Sequence, residues 1–213
     1  MRERNILTDV VDYYEGKLAA FGATPRGVDW KDEPSQTKRF EQLVRALGID
    51  ERATDFTLLD FGCGYGALLT FLRQRGYGCA YVGYDGSPRM ILEANRLHEG
   101  VAGATFLSEW STVVPADYIV ASGIFNVRLV WSVEEWRQYT LRTLAEIDAK
   151  ALDGWAANFL TGYSDEDRRR PDLYYVDPAE MFGWCKRSAS RWVSLFHDYN
   201  LYEFTIGVTR HPR

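Results

Sequence analysis

Residues 58–69, LLDFGCGYGALL, constrain this chain more than any other segment. A short apolar run reads as a buried strand, stops at Gly62, Gly64 and Gly66, and gives way to a helical pattern. Glycine at such a strand-to-helix turn lets the backbone bend sharply. It also lets a ligand approach the main chain with no Cβ in the way. The same string satisfies the dinucleotide pattern G-x-G-x-x-[GA] through Ala67, and a tight turn with no ligand would use the same glycines. The turn therefore calls for an α/β fold and leaves its ligand open.

The pattern around it agrees. Strands are expected near 56–61, 80–84, 103–107, 117–122 and 153–160, with helices near 66–75, 87–97, 133–149 and 178–186. This alternation implies a mostly parallel sheet with helices on both faces. RWVSLF (191–196) and LYEFTIGV (201–208) are separated by His197-Asp-Tyr-Asn and read as a terminal antiparallel hairpin. Upstream, residues 8–20 have a helical pattern with Val10, Val11, Tyr14 and Leu18 on one face. After a Gly/Pro-punctuated stretch, Ser35 is the expected cap of a helix carrying Phe40, Leu43, Val44 and Leu47. Two units follow: an N-terminal helix and lid segment, 1–34, and an α/β domain, 35–213. At 213 residues the chain buries roughly 70% of its unfolded surface and needs no disulfide or metal staple.

The ligand becomes readable from two acids. Asp85 lies twenty-three residues after Gly62, just past the strand AYVGY, where an acid can accept both hydroxyls of a ribose. Alone, Asp85 before Gly86-Ser-Pro reads as a turn residue or cap; with the glycine turn, nucleoside binding explains it better. Asp60 ends the first strand, where dinucleotide folds carry an apolar residue. An acid there suits a ligand with an ammonium group and repels a pyrophosphate.

On LLDFGCGYGALL, YVGYDGSPRMI and DYIVASGIFN at the fourth strand, the sequence resembles the class I S-adenosylmethionine (SAM)-dependent methyltransferases over about residues 35–208. The resemblance implies a Rossmann-like sheet of seven strands, six parallel and the last antiparallel. It implies SAM as cofactor and S-adenosylhomocysteine (SAH) as product. It places Asp60, Gly62 and Gly64 at the cofactor's amino-acid end, and Asp85 at the ribose with Gly86 and Met90 beside it. Ser108, Glu109 or Trp110 would lie near the adenine, and Ser122 and Gly123 at the sulfonium. Arg39 either grips the cofactor carboxylate with a bidentate fork or makes a surface salt bridge.

Methyl transfer chiefly demands positioning, and a base only where the nucleophile must lose a proton. The acceptor pocket is expected at the carboxyl ends of the strands. Phe125, Asn126, Phe159, Tyr163, Tyr174 and Tyr175 are its candidate walls, with Trp30 as an indole that needs something to cover. Asn126 either anchors a polar group or caps the turn. His197, Asp198 and Tyr199 are the catalytic candidates, His197 being either a general base or a locally bonded hairpin residue.

Composition narrows the acceptor. A net charge of −5 disfavours a generic duplex-binding surface. No [DN]-P-P-[YF] tetrapeptide, no Pro-Cys dipeptide and no Asp after the fourth strand argue against amide-nitrogen, cytosine-C5 and magnesium-dependent catechol subclasses. Cys63, Cys79 and Cys185 have no metal-ligand spacing and favour a reducing, cytoplasmic setting. No leader follows Met1-Arg-Glu-Arg-Asn, and no apolar run is long enough to cross a membrane. The expectation is a cytoplasmic, metal-independent O- or N-methyltransferase of small molecules, monomeric or homodimeric, with no nucleic-acid or membrane partner. A macromolecular methyltransferase, a nicotinamide-dependent oxidoreductase and a non-catalytic nucleoside-binding subunit are the alternatives.

Overall fold

The computed structural model describes residues 5–50 and 52–212. The first four residues, read above for a leader, lie outside this range. Strands β1 (Thr57–Phe61), β2 (Ala80–Tyr84), β3 (Ala104–Leu107), β4 (Ala116–Ala121), β5 (Ala151–Thr161), β6 (Tyr175–Val176), β7 (Trp192–Phe196) and β8 (Glu203–Thr209) form one sheet. Its order is β3-β2-β1-β4-β5-β8-β7, with the two-residue β6 pairing β5 off this path. All pairings through β5 are parallel, and β8 alone runs antiparallel to its neighbours. The expected parallel sheet and terminal hairpin are both present; β6 had no sequence signal because two residues carry no periodicity.

Alternation along the central strands sorts side chains between two layers. On one face Leu59, Ile119, Trp155, Phe159 and Phe204 pack with Trp136 and Leu144 of helix α5 (Val133–Lys150) and Met181 of α6 (Pro178–Ser188). On the other, Leu58, Val120 and Ala156 pack against Phe40, Leu43 and Leu47 of α2 (Glu33–Leu47) and Leu68 and Leu72 of α3 (Ala67–Gln74). Helix α4 (Pro88–Leu97) begins on the Ser87 cap, which accepts from the Met90 amide.

Asp32, not Ser35, caps α2: its carboxylate accepts from the Ser35 amide at 2.9 Å. Pro34 explains the earlier start, since proline is tolerated in the first helical turn and has no N–H to satisfy. The 34/35 boundary consequently falls within that first turn.

Helix α1 (Ile6–Phe21) lies across the carboxyl end of the sheet. Asn5 caps it, and Gly22 ends it in a left-handed conformation. It is fastened at both sides: Tyr13 donates to Asp29 at 2.8 Å, Lys17 pairs with Asp29 at 2.6 Å, and Ser87 donates to Glu15 at 2.8 Å.

Candidate functional site

A cavity of about 350 Å³ opens where β1, β2 and β4 end and α1 crosses them. That volume is in the range of small-molecule pockets, ~300–1,000 Å³. The glycine turn forms its floor. Gly62 has φ +78°, and a Cβ there would sit 2.3 Å from Ile124 Cγ2, so neither the conformation nor the space admits a side chain. The Gly62 and Cys63 amides both donate to the Tyr84 carbonyl, which locks the turn to the end of β2.

Asp85 joins the two halves of the floor. Its carboxylate accepts from the Gly64 amide at 2.9 Å and from the Ser87 amide at 2.9 Å. Burial pushes its carboxyl above the ordinary carboxylate range, although both amides oppose the shift. Asp60 is deeper, among Leu58 and Tyr81, and accepts from the Tyr81 hydroxyl at 2.7 Å. Burial is the larger influence and raises Asp60 to about 7. The site thus contains two desolvated carboxylates, suited to hydroxyls and to a cation.

Asp60, Gly62, Gly64, Asp85, Gly86, Met90, Trp110, Ser122, Gly123 and Trp30 all line this cavity. Trp110 packs against Phe61 and Tyr84, with ring centroids 4.9 and 5.1 Å apart. Trp30 presses on Gly123, whose φ of +72° and missing Cβ leave room for the indole. Leu7, Val10, Val11 and Tyr14 of α1 form the roof.

Other expected site residues are elsewhere. Ser108 and Glu109 do not line the cavity, Glu109 being turned to solvent. Arg39 is neither a surface residue nor a cavity residue. It is buried, donates through Nε and Nη2 to Glu203 at 2.6–3.0 Å, gives Nη1 to the Ser35 carbonyl, and stacks on Trp30 at 3.8 Å. Those bonds occupy the guanidinium fork that a cofactor carboxylate would need. Phe125, fully buried, stacks on Phe159 in the core, where Tyr174 is buried too. Tyr163 is 68% exposed, beside His197. Tyr175 is half-buried; its hydroxyl accepts from the Arg170 amide and Arg169 covers its ring. Asn126 is buried just past the cavity wall.

The catalytic candidates also lie outside the cavity. His197 is exposed on the hairpin turn, Asp198 pairs with Arg45 at the surface, and the Tyr199 hydroxyl bonds the Thr205 hydroxyl at 2.9 Å. The turn is at the correct end of the sheet but joins β7 and β8 at its edge, with β5 between them and β4, which Gly123 follows. Conversely, Tyr139, Arg142, Thr143 and Glu146 of α5 form a wall that sequence reading missed. Their i, i+3, i+4, i+7 spacing marks one helix face, but nothing local says what that face meets. Among the described residues no group of three His, Cys, Asp or Glu side chains is arranged to hold a metal ion.

A family model described as a methyltransferase domain matches residues 30–203. The chain belongs to the methyltransferase-domain family. This methyltransferase is 48% identical over 164 residues, 77% of its length and 99% of the relative's, to "Putative methyltransferase Rv1506c" of Mycobacterium tuberculosis. Its fold is similar to that of magnesium protoporphyrin IX methyltransferase from Synechocystis PCC 6803 with bound SAM. That match has a TM-score of 0.67 at 16% identity and covers 99% of this chain and 100% of the other. It is also similar to the N-methyltransferase NodS from Bradyrhizobium japonicum with SAH: TM-score 0.63, 16% identity, 96% and 99% covered. The methyltransferase is SAM-dependent, which sets aside the nicotinamide reading. No described helix is long and apolar enough to cross a membrane.

Proposed function

We propose that this methyltransferase transfers a methyl group to an oxygen or nitrogen of a small-molecule acceptor, without a metal, and that the cavity under α1 holds the cofactor. The carrying observation is the glycine turn tied to Asp85 inside a cavity of about 350 Å³. The chain's own groups fit SAM. Gly62 and Gly64 present bare backbone, Asp85 offers a carboxylate for ribose hydroxyls, and Asp60 offers one for an ammonium. Ser122 Oγ is buried with no hydrogen-bond partner among the described residues. Met90 and Trp110 supply apolar walls for the adenine, and Ser122 and Gly123 border the methyl-bearing end.

When bound, SAM supplies an electrophilic methyl: the acceptor's lone pair forms the new bond while the carbon–sulfur pair returns to sulfur. The protein's part is placement. The α1 roof, held by its bonds to Asp29 and Ser87, covers the cavity. Asp60 neutralises the cofactor's cationic arm in a desolvated setting, where the attraction is stronger than in water. Helix α1 and the segment that follows it, up to the α2 cap Asp32, serve as the lid of the domain. Support for a small acceptor comes from the size of the cavity, and from neighbours whose names specify magnesium protoporphyrin IX or a structure obtained in the presence of D-fucose. The three buried thiols fit a reducing, cytoplasmic setting.

Isothermal titration with SAH tests the cofactor site, and methyl-labelled SAM tests the acceptor class. Label in low-molecular-weight material supports the reading. Label confined to protein or RNA would replace it with macromolecular methylation.

A further inference from the structure

At the carboxyl ends of β4 and β5, three amide and hydroxyl side chains keep polar atoms with no partner among the described residues; Ser122 lines the cavity, and Asn126 and Asn158 do not. Ala121 of β4 pairs with Ala157 of β5, so the next residues, Ser122 and Asn158, lie side by side; Asn158 in turn opposes Thr205 of β8. Asn158 Oδ1 accepts the Gly123 amide at 2.7 Å, which pins the amide plane and turns its Nδ2 away from that bond. Asn126 follows in the turn closed by its own amide to the Gly123 carbonyl. Asn158 is 0% and Asn126 5% exposed. Yet Ser122 Oγ, Asn158 Nδ2 and both amide atoms of Asn126 have no hydrogen-bond partner among the described residues.

Buried polar groups are almost always bonded, because an unmet group keeps its desolvation penalty with no return. Four such atoms on three residues, at or near the wall formed by Ser122, Gly123 and Ile124, are open to a partner that the described residues do not supply. We propose that Ser122, Asn126 and Asn158 are the acceptor-anchoring subsite, and that it takes an uncharged, hydroxyl-bearing small molecule. This rests on the small-molecule reading above and adds the residues and the charge class.

The donor set selects the chemistry. Asn158 offers N–H groups; Asn126 offers N–H groups and a carbonyl; Ser122 both donates and accepts. A hydroxyl complements all three, because it also donates and accepts. None of the three can neutralise a charge. Of the ions on the Asn158 face, Arg39 and Glu203 are already bound to each other, and Asp60 is taken by the ammonium of the cofactor in the reading above. A carboxylate or ammonium delivered here would be a buried, unpaired charge.

The test uses the full chain, methyl-labelled SAM and a small-molecule extract of the source cells, split by ion exchange into uncharged, anionic and cationic pools, with protein and RNA fractions alongside. Label should enter the uncharged pool. Asn126→Leu should raise the KM for that pool at least tenfold while leaving SAH affinity within twofold and thermal stability no lower, since it replaces an unpartnered amide by an apolar group of similar shape. Should that variant not fold, Asn126→Ser carries the same KM comparison. Label in a charged pool overturns the proposed charge class and leaves the small-molecule reading standing. An unchanged KM in the variants means the amides serve buried water only and overturns the subsite. Label only in protein or RNA, or in no fraction while SAH binds, overturns both.

Discussion

The Tyr81 hydroxyl donates to Asp60 Oδ2 at 2.7 Å, joining the second strand to the last polar residue of the first at the cavity under α1. The bond favours an ionised carboxylate, but burial outweighs it and lifts Asp60 to about 7. Between the ordinary carboxylate range and that value, the folded protein holds a proton the unfolded chain has released. This group therefore erodes stability as pH rises through that window.

Ligand binding should show the opposite trend. A cationic arm prefers the ionised form, so SAH affinity should strengthen between pH 6 and 8, and Asp60→Asn should flatten both the affinity and the melting-temperature profiles. Titration calorimetry and thermal melts of both proteins across that range check this. Parallel profiles for the two would show that Asp60 is not the group involved.

Asp85→Ala should weaken SAH binding at least tenfold, about 1.4 kcal/mol. It removes a carboxylate from the cavity and frees the Gly64 and Ser87 amides it holds. An unaltered dissociation constant would refute the ribose assignment.

Gly62→Ala tests the floor of the site. A Cβ at φ +78° would sit 2.3 Å from Ile124 Cγ2, so the turn must shift. A soluble variant with lost SAH binding and a lowered melting temperature is the expected result; native affinity would mean that the turn relaxes without cost.

The Arg39–Glu203 pair should behave as a buried ion pair. Either Arg39→Met or Glu203→Leu alone should destabilise by about 3–5 kcal/mol, because the other charge is stranded. The double variant should recover most of that loss in urea denaturation. Additive losses would show that each side chain acts through separate contacts.

His197→Ala should leave methyl transfer and SAH affinity within twofold, because His197 is exposed on the hairpin turn outside the cavity. A loss of turnover with unchanged affinity would return it to the list of catalytic groups.

Local pattern made much of this protein legible. Gly62, Gly64 and Asp85 could be read from the sequence because their reason is backbone geometry: a positive φ, a close approach, an acid at a strand end. The strands could be read because burial on both faces imposes continuous apolar runs. Arg39, Phe125 and His197 could not be assigned this way. Arg39 meets Glu203 across 164 positions, Phe125 meets Phe159 of the neighbouring strand, and His197 lies in the β7–β8 turn at the sheet edge while Gly123 follows β4. The aromatic residues, 15% of the chain, illustrate the same division. Their number is compositional, but whether each ring fills core, as Phe125 does, or borders the cavity, as Trp30 and Trp110 do, depends on the side of the sheet it faces and on what packs there. Sequence therefore determined the glycine turn and the acid tied to it, whose demands are local. Tertiary structure alone decided which side chains meet Ser122, because its adjacency to Asn158 exists only once β4 and β5 are in register.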